Sequence, residues 1–142
     1  VRCGGGFNHR GGLYDGVMIK DNHISAVGSI AKAVTDVKGH AHHLVKIEVE
    51  ISHIDQIEEA VQAGADVLLF DNMNNEQLAA AIERARSLDG DLILEASGNM
   101  DPQRIAEIHQ LDLDVISVGG VIHQARWVDL SLKMRQVSDE AS

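Results

Sequence analysis

The sequence is poor in cysteine, proline and aromatic residues, and each shortage excludes a class of protein. The single cysteine, Cys3, rules out a disulfide framework and a zinc site built from several cysteines of one chain. One proline, one Trp, one Tyr and two Phe among 142 residues disfavour an all-β sandwich, which needs aromatic strands and many turns. A lone cysteine also suits a reducing compartment, so we expect a cytoplasmic protein.

Long apolar runs and an excess of positive charge are missing as well. No stretch reaches the roughly 18 consecutive apolar residues that a transmembrane helix requires. The formal net charge is −10, from 22 acidic and 12 basic side chains. An acidic chain is poorly suited to non-specific binding of nucleic acid or anionic lipid, so we expect neither nucleic acid nor a membrane as a partner.

The charge is unevenly distributed along the chain. Residues 1–20 carry a net charge of +2, and the other 122 residues carry −12. The basic segment opens at Val1, without an initiator Met, and runs directly into a polar, glycine-rich stretch that ends at Arg10. A functional loop at the first residue predicts that the sequence is a fragment of a longer protein.

Short β-branched runs alternate with amphipathic helical patterns through most of the chain. This alternation predicts a parallel sheet with helices outside it, since β-α-β crossovers are right-handed. The predicted strands are 17–20, 44–50, 67–70, 92–95 and 115–118, and the predicted helices are 30–34, 54–63, 76–87 and 102–110.

The even spacing of the strands favours a barrel over an open doubly wound sheet. Residues 65–71 (ADVLLFD) align with residues 113–119 (LDVISVG) at an offset of two βα units, which is an internal repeat. Five strands are too few to close a barrel. We therefore predict an α/β fold with an incomplete (β/α) barrel domain over residues 1–136 and a fraying polar tail over residues 137–142.

Local signals mark where several helices begin and end. Ser52 and the pair Asp101-Pro102 predict helix starts, and Gly64 predicts a C-cap. Trp127 is expected to pack a final helix. The four methionines are expected to fill gaps in the core: Met18, Met73, Met100 and Met134.

Polar residues collect at the carboxyl end of every predicted strand. In parallel α/β proteins this edge carries the active site, and a charge elsewhere in a buried strand is costly. Any one of these residues alone is better explained by an internal ion pair. Together they predict a catalytic edge, whose members are Lys20, Glu48, Glu50, Asp71 and Glu95.

The loops offer further candidates, each with a simpler structural explanation. Gly4-Gly5-Gly6 lacks the spacing of a phosphate loop and is weak evidence for one. Arg10 suits carboxylate or phosphate binding in an otherwise acidic chain. The segments 97–99 and 119–120 could cap helices or offer backbone N–H groups to a phosphate. The histidines at 40, 42 and 43 are interpreted as a solvated loop and not as a metal site.

A series of motifs, in order along nearly the whole chain, resembles the quinolinate phosphoribosyltransferase family. The matching segments are Asn8-His9-Arg10, Gly12-Leu13, Asp15, 19–23 (IKDNH), 48–50 (EVE), 63–66 (AGAD), 71–73 (DNM), 95–98 (EASG), 117–119 (SVG), His123 and 129–133 (DLSLK).

The resemblance implies an α/β sandwich domain followed by an open α/β barrel. Members convert quinolinate and phosphoribosyl pyrophosphate, with Mg²⁺, to nicotinate mononucleotide, pyrophosphate and CO₂ in NAD biosynthesis. The resemblance also implies a homodimer or higher oligomer, in which the N-terminal domain covers the partner's site. That domain and a Thr-Arg-Lys-Thr segment upstream of the glycine run are not in this sequence, so the fragment alone is expected to be inactive.

The resemblance also implies roles for individual residues. His9, Arg10 and Lys20 would hold the quinolinate carboxylates, and Glu50 and Asp71 would lie near the ribose hydroxyls and bind Mg²⁺. Lys20, Glu50 and Asp71 are the expected catalytic residues. The expected cradle for the 5′-phosphate is formed by Ser97, Asn99, Gly119 and His123.

One segment departs from the family pattern. Where members usually have Ala-Leu-Thr-His-Ser, this chain has Gly120-Val121-Ile122-His123-Gln124, which removes two hydroxyl groups from the expected phosphate site. Two alternatives therefore stay open. One is a paralogue of the molybdenum-transport-associated kind that uses another phosphoribosyl acceptor. The other is a non-catalytic barrel that binds a phosphorylated metabolite.

Overall fold

A single parallel sheet organises residues 1–135, which are the residues that the computed structural model describes. The predicted tail, 137–142, lies outside the described residues. The strands are β1 (Val17–Ile19), β2 (Ile47–Ile51), β3 (Val67–Asp71), β4 (Ile93–Ser97) and β5 (Val115–Ile116). The helices are α1 (Asp21–Val27), α2 (Ile30–Lys38), α3 (Gln56–Ala63), α4 (Asn75–Leu88), α5 (Pro102–Ile108) and α6 (Gly120–His123).

The strands lie side by side in chain order, and every neighbouring pair is parallel. Right-handed crossovers between consecutive neighbours place the helices that connect the strands on one face of the sheet. This is the arrangement of a (β/α) barrel, and it confirms the predicted fold class. Within the described residues the sheet stays open, with β1 and β5 at its edges.

The core lies between the sheet and the helices. Val49, Leu68, Phe70 and Leu94 alternate along their strands with residues of the opposite face, and each is almost fully buried. The helices contribute the apolar stripe expected from their spacing: Ile57 and Ala60 from α3, and Leu78, Ala81, Ile82 and Ala85 from α4.

The internal repeat has a structural counterpart at the amino ends of the strands. Asp66 precedes β3 and accepts a hydrogen bond from the backbone N–H of Ile47 at 2.8 Å, while its own N–H donates to the Ile47 carbonyl at 2.9 Å. Asp114 precedes β5 and makes the same two bonds with Leu94, at 2.8 and 3.0 Å. Each repeated aspartate thus fixes the start of its strand against the neighbouring strand.

Helix boundaries follow the predicted signals with one exception. Asp101 accepts from the N–H of Arg104 at 2.8 Å, and Gly64 ends α3 in the left-handed conformation, as predicted. The prediction that Ser52 begins α3 is wrong. The N-cap is Asp55, because the side chain of Gln56 reaches back and accepts from the N–H groups of Ser52 and His53.

Other predictions need correction near the ends of the chain. Helix α1 was not predicted, and it begins directly after Lys20. Trp127 packs no helix: residues 124–135 form no regular element, and its side chain is fully exposed. Met134 is 90% exposed and fills no gap, whereas Met73 and Met100 are buried as predicted. Strand β5 ends at Ile116, two residues short of the prediction.

None of the helices described for residues 1–135 combines the length and the apolar character that spanning a bilayer requires.

Candidate functional site

The face of the sheet opposite the helices carries the charged residues. Strand register places Glu50 beside Leu69 and Leu69 beside Glu95, so these three side chains point to the same face. Asp71 pairs with Ser97 two residues further along, at the carboxyl edge. The predicted cluster of strand-end residues is thus brought to one surface by the alternation of the strands.

Lys20 and Glu50 form an ion pair at the carboxyl edge. Lys20 Nζ lies 3.8 Å from Glu50 Oε2, and the lysine side chain is half exposed while the carboxylate is mostly buried. The backbone N–H of Lys20 donates to Nδ1 of His23 at 2.9 Å, which fixes the lysine at the junction of β1 and α1. Burial, and after it the negative charge of Asp71, raises the pKa of Glu50 above its ordinary value, and Lys20 opposes this effect.

A network of amide side chains supports Asp71. Asn72 Nδ2 donates to Asp71 Oδ2 at 2.7 Å, and Asn72 Oδ1 accepts from Asn99 Nδ2 at 3.1 Å. Both asparagines have positive φ, 53° and 49°, a conformation that few non-glycine residues adopt and that is concentrated at functional sites. The intervening Gly98 has φ +88°, and a Cβ there would approach the Asn72 backbone nitrogen to 2.8 Å.

Arg104 of α5 supports this network through hydrogen bonds to two backbone carbonyls next to it. Its guanidinium donates to the Gly98 carbonyl at 2.9 Å and also to the Met73 carbonyl. Sequence reasoning assigned no role to Asn72 or Arg104. Asn72 stood next to a predicted site residue, which was the available signal, whereas nothing in the sequence distinguished Arg104 from a surface arginine.

The four residues expected to hold a phosphate follow two neighbouring strands at one edge. Ser97 ends β4 and Asn99 follows it, while Gly119 follows β5 and His123 ends α6. The backbone N–H of His123 donates to the Gly119 carbonyl at 3.2 Å. Because β4 and β5 are parallel neighbours, their following loops emerge on the same side.

His9 lies over the middle of the sheet and not beside the Lys20–Glu50 ion pair. Its Nε2 is 3.4 Å from Glu48 Oε2 and 3.6 Å from Glu95 Oε1. Burial, and after it the charge of Glu95, raises the pKa of Glu48. Sequence reasoning placed both glutamates at the catalytic edge but did not connect them to His9.

Arg10 lies towards the amino end of the sheet. It donates to the carbonyl of Gly16, the residue before β1, at 3.2 Å. Together with His9, Lys46 and Glu48 it lines a groove of about 460 Å³. Gly16 and Lys20 flank β1 and are four residues apart, or about 13 Å in extended chain. The three basic residues expected to share a substrate are therefore spread along the strand direction.

The three histidines at 40, 42 and 43 are exposed, as predicted for a solvated loop. The only regular contact between their rings is a tilted stacking of His42 on His43, with centroids 4.3 Å apart, among the described residues.

Comparison with known proteins assigns the chain to a family. Residues 1–133 match the family described as quinolinate phosphoribosyl transferase, C-terminal domain. A Bacillus subtilis protein named "Probable nicotinate-nucleotide pyrophosphorylase (carboxylating)" is 42% identical over 132 residues, covering 93% of this chain and 45% of that protein. A Methanothermobacter thermautotrophicus protein of the same name is 43% identical over 137 residues, covering 95% of this chain and 49% of that protein.

Solved structures agree with the sequence comparison. The crystal structure of NadC from Streptococcus pyogenes superimposes with a TM-score of 0.83 at 41% identity, covering 94% of this chain and 46% of that one. The nicotinate-nucleotide pyrophosphorylase of Francisella tularensis superimposes with a TM-score of 0.77 at 44% identity, covering 84% and 41%. The chain spans about half the length of the relatives it matches. Over that half, sequence and fold agree, and the chain belongs to the quinolinate phosphoribosyltransferase family.

Proposed function

We propose that the protein containing these residues transfers the phosphoribosyl group of phosphoribosyl pyrophosphate to quinolinate and decarboxylates the product. The products are nicotinate mononucleotide, pyrophosphate and CO₂. The observation that carries this proposal is the Lys20–Glu50 pair beside Asp71 at the carboxyl edge of a barrel-like sheet. Relatives with 42% and 43% identity bear the name of this activity, which supports the same assignment.

Glu50 and Asp71 suit Mg²⁺ because both offer hard carboxylate oxygens from adjacent strands. The raised pKa of Glu50 reflects, after burial, repulsion by Asp71, which a bound cation would relieve. When bound there, Mg²⁺ would neutralise charge on the departing pyrophosphate. We therefore propose Glu50 and Asp71 as its ligands.

The proposed reaction requires positive charge to bind the anionic substrates and negative charge to stabilise the cationic transition state. Lys20 and His9 offer donors to the two carboxylates of the substrate, and Arg10 would join them only if its side chain left the Gly16 carbonyl. As the pyridine nitrogen bonds to C1 of the ribose and pyrophosphate leaves, the sugar acquires carbocation character, which the carboxylates of Glu50 and Asp71 stabilise. The C2 carboxylate then leaves as CO₂, the electrons of the broken bond stay on C2 beside the positive ring nitrogen, and C2 takes a proton from solvent.

The 5′-phosphate is assigned to the two loops after β4 and β5. Ser97 offers a hydroxyl, Asn99 a side-chain amide, Gly119 a backbone N–H and His123 an imidazole. The polar network of Asn72 and Arg104 supports this loop through Gly98 and Asn99. Such pairs of late loops are a common phosphate site in barrels.

The proposal extends to the whole protein: a cytoplasmic enzyme of NAD biosynthesis, a homodimer or higher oligomer, with an α/β sandwich domain before this barrel-like domain. Light scattering of the complete protein tests the oligomeric state. A monomer would contradict that part.

Replacement of the acidic pair in the complete protein tests the activity. We expect Glu50→Gln and Asp71→Asn each to lower kcat on the order of 100-fold, because an oriented charge next to the developing cation is lost. Formation of nicotinate mononucleotide from quinolinate measures the effect. Glu83→Gln, on the exposed side of α4, is the matched control and keeps wild-type activity.

The same assay separates the alternatives. Release of pyrophosphate with another acceptor but not with quinolinate would identify the paralogue. A cellular activity that survives Asp71→Asn would indicate a non-catalytic binding protein.

A further inference from the structure

His9 is held by two carboxylates from strands that are not neighbours. Glu48 lies on β2 and Glu95 on β4, and β3 runs between them. Both carboxylates approach the same ring atom, Nε2, at 3.4 and 3.6 Å. The two carboxylates flank Nε2, so Nδ1 is the ring atom left to meet a ligand. These are the only polar side-chain contacts of His9 within residues 1–135.

The two carboxylates are costly to the fold where they stand. Glu48 and Glu95 are 8% and 4% exposed, so both have lost most of their hydration. Ser117 donates its hydroxyl to Glu95, but one oxygen of Glu48 has no hydrogen-bond partner among the described residues. Apolar or neutral side chains of similar volume generally serve stability equally well or better at such positions. Stability therefore does not explain the pair, which points to a role in binding.

The position of His9 relative to the edge cluster indicates what that role is. Glu48 lies two residues before Glu50 on the same face, so His9 sits about 7 Å further from the carboxyl edge than the Lys20–Glu50 pair. A planar aromatic dicarboxylate that enters from the edge would meet Lys20 first and His9 deeper on the sheet.

We propose that Glu48 and Glu95 are positioning residues, which together fix the His9 imidazole over β3 so that it recognises one carboxylate of the pyridine dicarboxylate. This inference rests on the proposed function. The loop before β1 forms no regular structure at His9, so the ring depends on these two contacts for its orientation. A ring held at Nε2 presents Nδ1 at a defined place, where an N–H would donate to a carboxylate.

Kinetics of Glu48→Gln and Glu95→Gln in the complete protein test the proposal. We expect each to raise KM for quinolinate on the order of tenfold, as for the loss of a well-oriented hydrogen bond to a charged group. The KM for phosphoribosyl pyrophosphate and kcat should stay close to their wild-type values. The matched control is again Glu83→Gln.

A double-mutant cycle with His9→Gln shows whether the glutamates act through the histidine. In that background, Glu48→Gln and Glu95→Gln should raise KM for quinolinate no further than about twofold, because the orienting contact no longer exists. Independent, multiplicative losses would overturn the proposal. So would an unchanged KM with a lowered thermal midpoint, since that is the result of a purely structural pair.

The three side chains also have the composition of a metal site, since their ligand atoms lie within 4.8 Å of one another. Metal content of the purified complete protein, measured after incubation with Zn²⁺ or Mn²⁺ and dialysis, decides this. One equivalent that is lost in both Glu48→Gln and Glu95→Gln would overturn the positioning role. Calorimetric titration of the same variants with quinolinate measures binding without turnover. It therefore distinguishes a failure of the proposed reaction from a failure of Glu48 and Glu95 to position His9.

Discussion

The two faces of the sheet differ in almost every physical respect. The face under the helices is formed by apolar side chains that are almost completely buried, such as Val49, Leu68 and Leu94. The opposite face interleaves apolar residues with carboxylates, and one of those carboxylates has an oxygen without a partner in the described structure. One face therefore stabilises the fold, whereas the other accepts a cost in stability.

The polar groups of the helix-bearing side, in contrast, are well satisfied. Arg86 bridges Asp112 and Asp114 at 2.8 Å each and donates to the Leu92 carbonyl at 2.6 Å. Within residues 1–135, the buried side-chain oxygen without a hydrogen-bond partner, Glu48 Oε1, lies on the face that carries the proposed site. That is expected where binding and stability make opposing demands.

Truncation of adjacent leucines on β3 tests the contrast most strongly. Leu68→Ala should lower the free energy of unfolding by about 2–5 kcal/mol, because Leu68 belongs to the packed core and leaves a cavity. Leu69→Ala, one residue along and on the opposite face, should cost about 1–2 kcal/mol, close to the transfer of the side chain alone. Urea unfolding measures both variants. Equal losses would show that the two faces are packed alike.

Gly98→Ala probes backbone strain at the site. The new Cβ would lie 2.8 Å from the Asn72 nitrogen at a φ of +88°, so we expect a loss of about 1–3 kcal/mol in stability. Because Gly98 borders the proposed phosphate loop, KM for phosphoribosyl pyrophosphate should rise as well. Gly90→Ala, which has nothing within 4 Å of its Cβ, is the control. An unaffected Gly98→Ala protein would remove the argument for a strained loop.

Asp114→Asn tests how the ion pairs on the helix-bearing side contribute to stability as the pH falls. The backbone N–H of Leu94, and after it Arg86, lowers the pKa of Asp114, so this carboxylate stabilises the fold above its ordinary pKa near 3.8. That stability is lost as pH falls through the lowered pKa. The variant should lose about 0.5–1.5 kcal/mol at neutral pH and show a flatter acid limb. Unfolding curves between pH 2 and pH 7 measure the difference, which should vanish at the acid end.

Glu48→Gln should change the free energy of unfolding least, and it should raise it where the other substitutions lower it. Burial, and after it the charge of Glu95, raises the pKa of Glu48, so the folded state prefers the protonated carboxyl. The stability from this group is present below its ordinary pKa of 4.5 and is lost as pH rises through the raised value. The variant should therefore equal the wild type near pH 4 and be slightly more stable at pH 7. A variant less stable at pH 7 would show that the ionised carboxylate supports the fold.

Regular elements and their partners could be predicted because their causes are local. Alternation in β2 separates Glu48 and Glu50 from Ile47 and Val49, and the structure has that arrangement. The repeat at Asp66 and Asp114 predicted equivalent units, and both aspartates make equivalent bonds. The proximity of Lys20, Glu50 and Asp71 could be predicted from the sequence, because parallel strands present their carboxyl ends at one edge.

The errors lie where neighbouring residues override the local signal of a side chain. Ser52 has the side chain of an N-cap, but the N-cap is Asp55, and Gln56 in the first turn of α3 accepts from the backbone N–H groups of Ser52 and His53. Trp127 has the large apolar side chain typical of a core residue, yet no described element covers it.

The sequence by itself determined the parallel sheet, the side that the helices cover and the edge that collects the polar residues. Periodicity, caps and the alternation of strands act over a few residues, so they can be recognised without coordinates. Only the tertiary structure decided that His9 lies between Glu48 and Glu95, that Asn72 joins Asp71 to Asn99, and that Arg10 stays at the amino end of the sheet. The physical reason is that a loop is placed by contacts with residues far away in the chain, and no local pattern encodes them.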